Sequence, residues 1–360
     1  MADMTTSINC VLMRGGTSRG PLFRSDWLPA DPVARDRVLA QALGAGNALQ
    51  LDGLGGGSTL TSKAAIVSLS SRPGCDVDYL FAQVGVNDTT VDTRPNCGNM
   101  LAAVAPFAIE QGMVPAAEGT TRVRVYNVNT GARIEAIVQT PGKRVCYDGN
   151  ASIDGVPGTA APILLEFMDA WGAITGSLFP TGKRVDVIDG ISATCIDACM
   201  PLLIMRAADF GVLGTESSAE LDKVPGLIAK ISAIRLKAGA MMGLGDVSNS
   251  VVPKPTLISH NADPAKITSR YFTPHRCHTS HAVTGGIGLA TAYALPGTIA
   301  SEHAAVRAEG THAIAICHPV GRIDVQVELA MREGEMAVIS ASVVRTARKI
   351  MEGALHLPQY

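Results

Sequence analysis

The spacing of apolar and polar positions changes repeatedly along this chain, and each change marks an element. Residues 8–13 form a short apolar run that stops at Arg14-Gly15-Gly16-Thr17-Ser18, which predicts a strand entering a loop. Residues 31–43 carry helical spacing, with an acidic start at Asp31 and Pro32 acceptable in the first turn. A glycine-rich loop, Asp52-Gly53-Leu54-Gly55-Gly56-Gly57-Ser58, comes next. Residues 63–69 and 77–84 read as strands. Asn96 is a good N-cap for an apolar helix that opens at Asn96-Cys97-Gly98-Asn99 and runs to residue 111. Residues 121–140 predict a hairpin turning at Asn129-Thr130-Gly131.

The second half repeats this order loosely. Residues 196–205 resemble a strand, which puts Cys195 and Cys199 in the core, and residues 227–237 resemble a helix. Ser280-His281-Ala282-Val283-Thr284-Gly285-Gly286 opens a small-residue helix to residue 294, and residues 311–329 predict a hairpin turning near Pro319-Val320-Gly321. Each half places a glycine just ahead of an Arg-Ile step, at Gly131-Ala132-Arg133-Ile134 and Gly321-Arg322-Ile323. Two similar α+β domains account for the repeat; chance recurrence of common elements is the alternative. Two such domains would meet across a cleft. If each aimed a helix N-terminus into it, free N–H groups and partial positive charge would suit a substrate with several carboxylates.

Composition narrows the function classes. The 360 residues include 30 Lys+Arg and 32 Asp+Glu, a net charge of −2, and this balance argues against nucleic acid as a partner. Apolar residues make up 47%, enough for a core and against disorder. No stretch approaches a membrane span, and residues 1–6 lack the basic-then-apolar order of a secretory signal. The eight cysteines are scattered rather than dense, so the expectation is reduced thiols in the cytoplasm. Aromatics at 4% disfavour a stacking surface for bases or sugars.

Four groups could carry chemistry. Cys97 opens a helix, where a thiol is favoured as thiolate, and Gly98 beside it leaves the backbone open; an inert buried thiol is the bland alternative. Lys63 sits where a polar loop meets an apolar strand. A lysine that loses hydration there offers a neutral amine as base, whereas a solvated lysine at a strand start does not. Arg14, Thr17 and Ser18 offer a guanidinium fork, hydroxyls and open backbone to a carboxylate, or form an ordinary surface turn. In Pro274-His275-Arg276-Cys277-His278-Thr279-Ser280-His281, zinc is conceivable, but the spacing completes no tetrahedral set. Hydrogen bonds from His278, Ser280 and His281 to a substrate carboxylate are the better reading. Neither the glycine loop nor Ser62-Lys63-Ala64 matches a nucleotide-binding motif.

Taken in order, Met13-Arg14-Gly15-Gly16-Thr17-Ser18, Asp52-Gly53-Leu54-Gly55-Gly56, Leu60-Thr61-Ser62-Lys63, Asn96-Cys97-Gly98-Asn99 and His275-Arg276-Cys277-His278 resemble the PrpF-type isomerases over nearly the whole chain. Within that family the match is to the 4-oxalomesaconate tautomerases and isomerases of bacterial aromatic-acid catabolism, including the breakdown of lignin-derived compounds. The resemblance implies a diaminopimelate epimerase-like fold: two pseudo-symmetric α+β domains, each a mostly antiparallel sheet around a central helix, with the active site in the cleft between them. The expected domains are residues 1–184, joined by 337–360, and residues 185–336. Epimerases of that fold use two cysteines, one at each helix start. Here the second position falls near Ala282, which has no thiol, so the resemblance makes Lys63 the partner of Cys97. It implies a cofactor-independent and metal-independent 1,3-proton shift in a keto tricarboxylate, with Lys63 as base and Cys97 as acid or orienting group. The expected substrate-binding set is Arg14, Thr17, Ser18, Ser62, Asn96, Gly98, Asn99, His278, Ser280 and His281. Aconitate or 2-methylaconitate is the alternative substrate, and a non-catalytic tricarboxylate-binding protein is the alternative class. A homodimer is the default assembly.

Overall fold

The computed structural model describes residues 7–168, 170–248, 250–273, 275–304 and 308–357, so the N-terminal residues 1–6 and Pro274 lie outside the described part. In chain order the elements are β1 (Ser7–Gly15), β2 (Ser18–Arg24), α1 (Pro32–Leu43), β3 (Lys63–Leu69), β4 (Val77–Val84), β5 (Val91–Asp92), α2 (Gly98–Glu110), β6 (Gly119–Asn127), β7 (Arg133–Thr140), β8 (Ile163–Phe167), β9 (Asp186–Ile188), β10 (Ile191–Asp197), β11 (Pro201–Arg206), α3 (Ser218–Leu221), α4 (Leu227–Met241), β12 (Lys254–His260), β13 (Lys266–Tyr271), α5 (Val283–Ala294), β14 (Gly310–His318), β15 (Gly321–Arg332), β16 (Glu335–Arg345) and β17 (Ala347–His356). The chain divides into two compact units, residues 1–165 with 345–360, and residues 166–344.

In the first unit the sheet runs β17-β1-β2-β3-β4-β6-β7. From β1 onward the neighbouring pairs alternate antiparallel, parallel, antiparallel, parallel, antiparallel. The C-terminal strand β17 pairs antiparallel with β1. Helix α2 packs on β1, β2, β3, β4, β7 and β17, so strands surround it. Its side chains from Gly98 to Ile109 are buried, as expected of a helix that is apolar all round. The amphipathic α1 covers the other face, where Leu39, Ala42 and Leu43 pack with Phe23, Ala64, Ile66, Ala82 and Val84. Side chains alternate across a strand, so this cluster fixes the opposite set as the α2 face: Lys63, Ala65 and Val67 on β3, and Tyr79, Phe81 and Gln83 on β4.

The second unit repeats the plan. Strands β10-β11-β12-β13-β14-β15 show the same alternation of pairings, and β9 and β16 add antiparallel strands at the two ends. The fully buried α5 packs on β10, β11, β14 and β15. Helix α4 fills the other side, with Ile231, Ile234 and Ala238 against Leu203, Met205 and Leu257. The fifth residues of β3 and β12 fall in register with the arginines that end β2 and β11, Arg24 opposite Val67 and Arg206 opposite Ile258. On that alignment Lys63 corresponds to Lys254, and the helix starts at Cys97 and Ala282 correspond.

Two local expectations need correction. Residues 196–205 are not one strand but a tight hairpin between β10 and β11, with Ala198-Cys199-Met200 in the turn. Cys199 takes a left-handed φ of 64° there, a conformation that its apolar neighbours in the sequence do not signal. Cys195 and Cys199 are nonetheless both buried. Asn96 does not cap α2. The N-cap is Cys97, whose side chain makes no capping bond to the first N–H groups of the helix. Propensity ranks Asn as a capping residue because its side chain closes a helix end; here the cap position falls to Cys97, whose side chain does not. The helix after Ser280 begins at Val283, within the stretch expected to open it, with Ala282 as N-cap.

Candidate functional site

The start of α2 rests on the β1–β2 turn. A side-chain carbon at Gly15 would meet the Asn99 carbonyl, and one at Gly16 would overlap the Asn99 side-chain amide. The absence of side chains at these two positions lets backbone approach backbone. The Thr17 N–H donates to Asn99 Oδ1 at 3.4 Å, and Ser18 Oγ lies 3.9 Å from Cys97 Sγ. Ser18, Gly98 and Asn99 are buried, while Cys97 is half-buried. Thr17, Ser18, Cys97, Gly98 and Asn99 therefore form one group.

Lys63 reaches this group through the strands. Its carbonyl leaves no room for a side chain at Gly20, two residues along β2 from Ser18. On the facing strand, three side chains of the α2 face serve both candidate residues. Gln83 Oε1 accepts from Lys63 Nζ at 2.7 Å, the Phe81 ring lies 5.0 Å from Lys63 Nζ, and Tyr79 Oη donates to the Cys97 carbonyl at 3.0 Å. Gln83 is itself aimed by its amide, which donates to Ser62 O at 2.8 Å and Thr59 O at 3.2 Å. Asn129 pins Phe81 by bonding both its N–H and its carbonyl at 2.9 Å. Burial, and after it the nearby Cys97, push the Tyr79 phenol well above its ordinary range, so it stays a donor. The Lys63 amine and the Cys97 backbone are thus held by one row of side chains at alternate positions of β4. Tyr79, Phe81 and Gln83 were missed in the sequence; the period-2 pattern of residues 77–84 was the available signal.

Other expected residues in this unit have structural partners. Arg14 Nη1 donates to Gly16 O at 2.9 Å, to Thr346 O at 3.1 Å and to Thr346 Oγ1 at 3.0 Å. Its guanidinium braces the loop against the start of β17. Ser62 Oγ donates to Gln50 Oε1 at 2.7 Å and Ser58 O at 2.8 Å, and Gln50 Oε1 also accepts from Gly57 N at 3.0 Å. The glycine loop is held by Ser62 and Gln50 and delivers the chain to Lys63. Asn96 is half-buried, immediately before the cap.

His278, Ser280 and His281 belong to the second unit, beside the start of α5. His281 is buried; its Nε2 lies 3.0 Å from Ser269 Oγ and its Nδ1 3.0 Å from the Ala282 carbonyl. A carbonyl only accepts, so Nδ1 carries the proton and Nε2 accepts from the serine. His278 Nδ1 accepts from the Ser280 N–H at 2.9 Å, which aims the half-buried ring beside Tyr271. The Cys277 thiol points at the His278 carbonyl, 3.6 Å away, and burial pushes it up to about 12. Among the described residues, this histidine segment does not bring three ligand atoms together.

With this geometry in hand, the whole chain can be placed among known proteins. A model of the PrpF protein family matches residues 5–358. The chain belongs to the PrpF family. It is 51% identical to YbhH of Escherichia coli (strain K12), whose name gives an isomerase class and no substrate, over 98% of this chain and 99% of that one. It is 46% identical to a (4E)-oxalomesaconate Delta-isomerase of Novosphingobium sp. (strain KA1), with 97% of each chain covered. Among solved structures, a methylitaconate-delta-isomerase superposes with a TM-score of 0.82 at 34% identity, covering 98% of this chain and 96% of that one. The expected epimerase-like α+β fold is borne out. A hydroxyproline epimerase covers 98% of this chain and 93% of its own at a TM-score of 0.56 and 12% identity, a likeness of fold alone.

Proposed function

We propose that this PrpF-family chain is an isomerase that moves a carbon–carbon double bond in an unsaturated keto tricarboxylate, 4-oxalomesaconate, by 1,3-proton transfer. The isomerase class rests on the family and on relatives named for that activity, including a 4-oxalomesaconate tautomerase of Pseudomonas putida at 44% identity. The residue assignment rests on one observation: a single face of β4 holds Lys63 through Gln83 and Cys97 through Tyr79.

The chemistry follows from these groups. Hydrogens on a carbon conjugated with a ketone and carboxylates are acidic. Lys63, as the neutral amine, takes one such proton, and the electron pair spreads into an extended dienolate. The N–H groups of the first turn of α2, at Gly98, Asn99 and Met100, face the developing negative charge with the positive end of the helix dipole. The Cys97 thiol returns a proton two carbons away, and the double bond has moved. Protons balance: lysinium and thiolate remain and exchange with solvent before the next turnover. Positioned acid–base catalysis contributes roughly two to four orders of magnitude, so stabilisation of the dienolate supplies much of the rest.

Proton NMR in deuterated water tests this reading. With 4-oxalomesaconate, the wild-type chain exchanges substrate hydrogens and shifts the double bond, and Lys63→Met stops both. Full exchange by folded Lys63→Met overturns the role of Lys63. Aconitate or 2-methylaconitate, which lack the keto group, separate the alternative substrate by ultraviolet absorbance. Thermal stabilisation by tricarboxylates without any exchange identifies a binding protein instead of an enzyme.

A further inference from the structure

In the second unit, the C-terminal end of β12 and the turn after α5 gather three ligand-type side chains. His260 Nδ1 or Nε2, a Glu302 carboxylate oxygen and a His303 ring nitrogen all lie within 4.8 Å of one another. The two imidazole centroids are 3.7 Å apart, at an interplanar angle of 62°. We propose that His260, Glu302 and His303 form a binding site for a divalent transition-metal ion of the zinc class.

The donor set suits that class. Imidazole and carboxylate bind zinc at roughly 2.0–2.2 Å, which places tetrahedral ligand atoms about 3.4 Å apart. All three side chains are exposed, so small rotations close the remaining gap without disturbing a core. Three protein ligands leave a fourth position for water. The two nitrogen donors favour zinc, nickel or copper over magnesium or calcium, which prefer oxygen cages.

The surroundings hold the ligands in place. Arg206 at the end of β11 pairs with both oxygens of Glu302, its Nε donating at 3.0 Å and its Nη2 forming the second bond. Each carboxylate oxygen keeps a lone pair for a metal, and a hydrogen-bonded carboxylate is the usual outer support of such a site. Asp209 lies 3.7 Å from the same guanidinium, so two carboxylates face one arginine and the local balance is negative. The turn that carries Glu302 and His303 is closed on itself: Thr298 Oγ1 donates to Ala292 O at 2.7 Å, Ser301 Oγ to Thr298 O at 3.0 Å and Ala304 N to Ser301 O at 3.0 Å. Burial, then the neighbouring His303, lowers the His260 imidazole, with Glu302 opposing and Arg206 adding to the shift. The neutral, metal-binding form is therefore favoured, and affinity falls as the rings protonate in acid.

Equilibrium dialysis of the chelator-stripped full chain against zinc decides the matter. The expected result is one zinc per chain and a rise in melting temperature, both lost in His260→Ala and in His303→Ala. Glu302→Gln weakens binding at least tenfold. Because these side chains are exposed, the variants should melt with the wild type in the presence of chelator. Cys97→Ala and His278→Ala, which remove competing soft ligands, should keep the zinc. Wild type that binds no zinc overturns the proposal. So does zinc that persists in the folded His260→Ala/His303→Ala double variant, or zinc that leaves with Cys97→Ala.

Discussion

The two units share a strand pattern and a buried central helix, yet they treat the start of that helix oppositely. In the first unit the cap is Cys97, approached by Ser18 Oγ at 3.9 Å and held at its carbonyl by Tyr79. In the second the cap is Ala282, and the histidine before it is tied at both ring nitrogens, to Ser269 and to the Ala282 carbonyl. Tyr79 and Ser269 occupy equivalent places on β4 and β13, each reaching toward a helix start. Both copies keep a lysine at the start of the equivalent strand, Lys63 and Lys254, but one presents a thiol at the helix start and the other a buried histidine with hydrogen-bond partners at both ring nitrogens. On the proposed mechanism the helix start of one half takes part in proton transfer, while the equivalent helix start of the other carries no thiol.

That contrast can be broken experimentally. Removing the sulfur has the largest expected effect: Cys97→Ala lowers kcat by roughly two to four orders of magnitude if the thiol returns the proton. A loss below tenfold, with KM raised instead, reduces Cys97 to an orienting role. Gln83→Leu frees the Lys63 amine from its anchor and should lower kcat by about ten- to a hundredfold through misplacement of the base. Its melting temperature should stay close to wild type, since Gln83 is half-buried at a strand end. An unchanged kcat would remove Gln83 from the positioning of Lys63. In the second unit, Ser269→Ala takes the donor from His281 Nε2 in a buried setting and should cost about 1–3 kcal/mol of stability by denaturant unfolding. Activity of the folded variant should fall less than for Cys97→Ala. A greater loss of activity than of stability would mean that the second helix start is as chemical as the first.

The strands at 63–69 and 77–84 and the first helix were legible in the sequence because their apolar spacing is local and their ends carry ordinary signals, such as Asp31 accepting from Ala34 N at 2.8 Å. The hairpin hidden in residues 196–205 was not, because its turn, Ala198-Cys199-Met200, is apolar and buried and carries no glycine at the left-handed position. Lys63 and Cys97 stood out by their positions at a strand start and a helix start. Gln83, Tyr79 and Phe81 did not, since nothing local distinguishes them from other strand residues. The His260, Glu302 and His303 cluster joins residues more than forty positions apart, and only tertiary packing brings them together.

Order of elements, the loose repeat and the chemistry-bearing residue types were set by the sequence alone, because hydrophobic period and backbone preference act over a few neighbours. Which strands pair in parallel, which face of β4 looks at α2 and whose side chains anchor the Lys63 amine and the Cys97 backbone were decided by the folded structure. Those features depend on long-range pairing register, where a slip of one residue would turn every side chain to the opposite face.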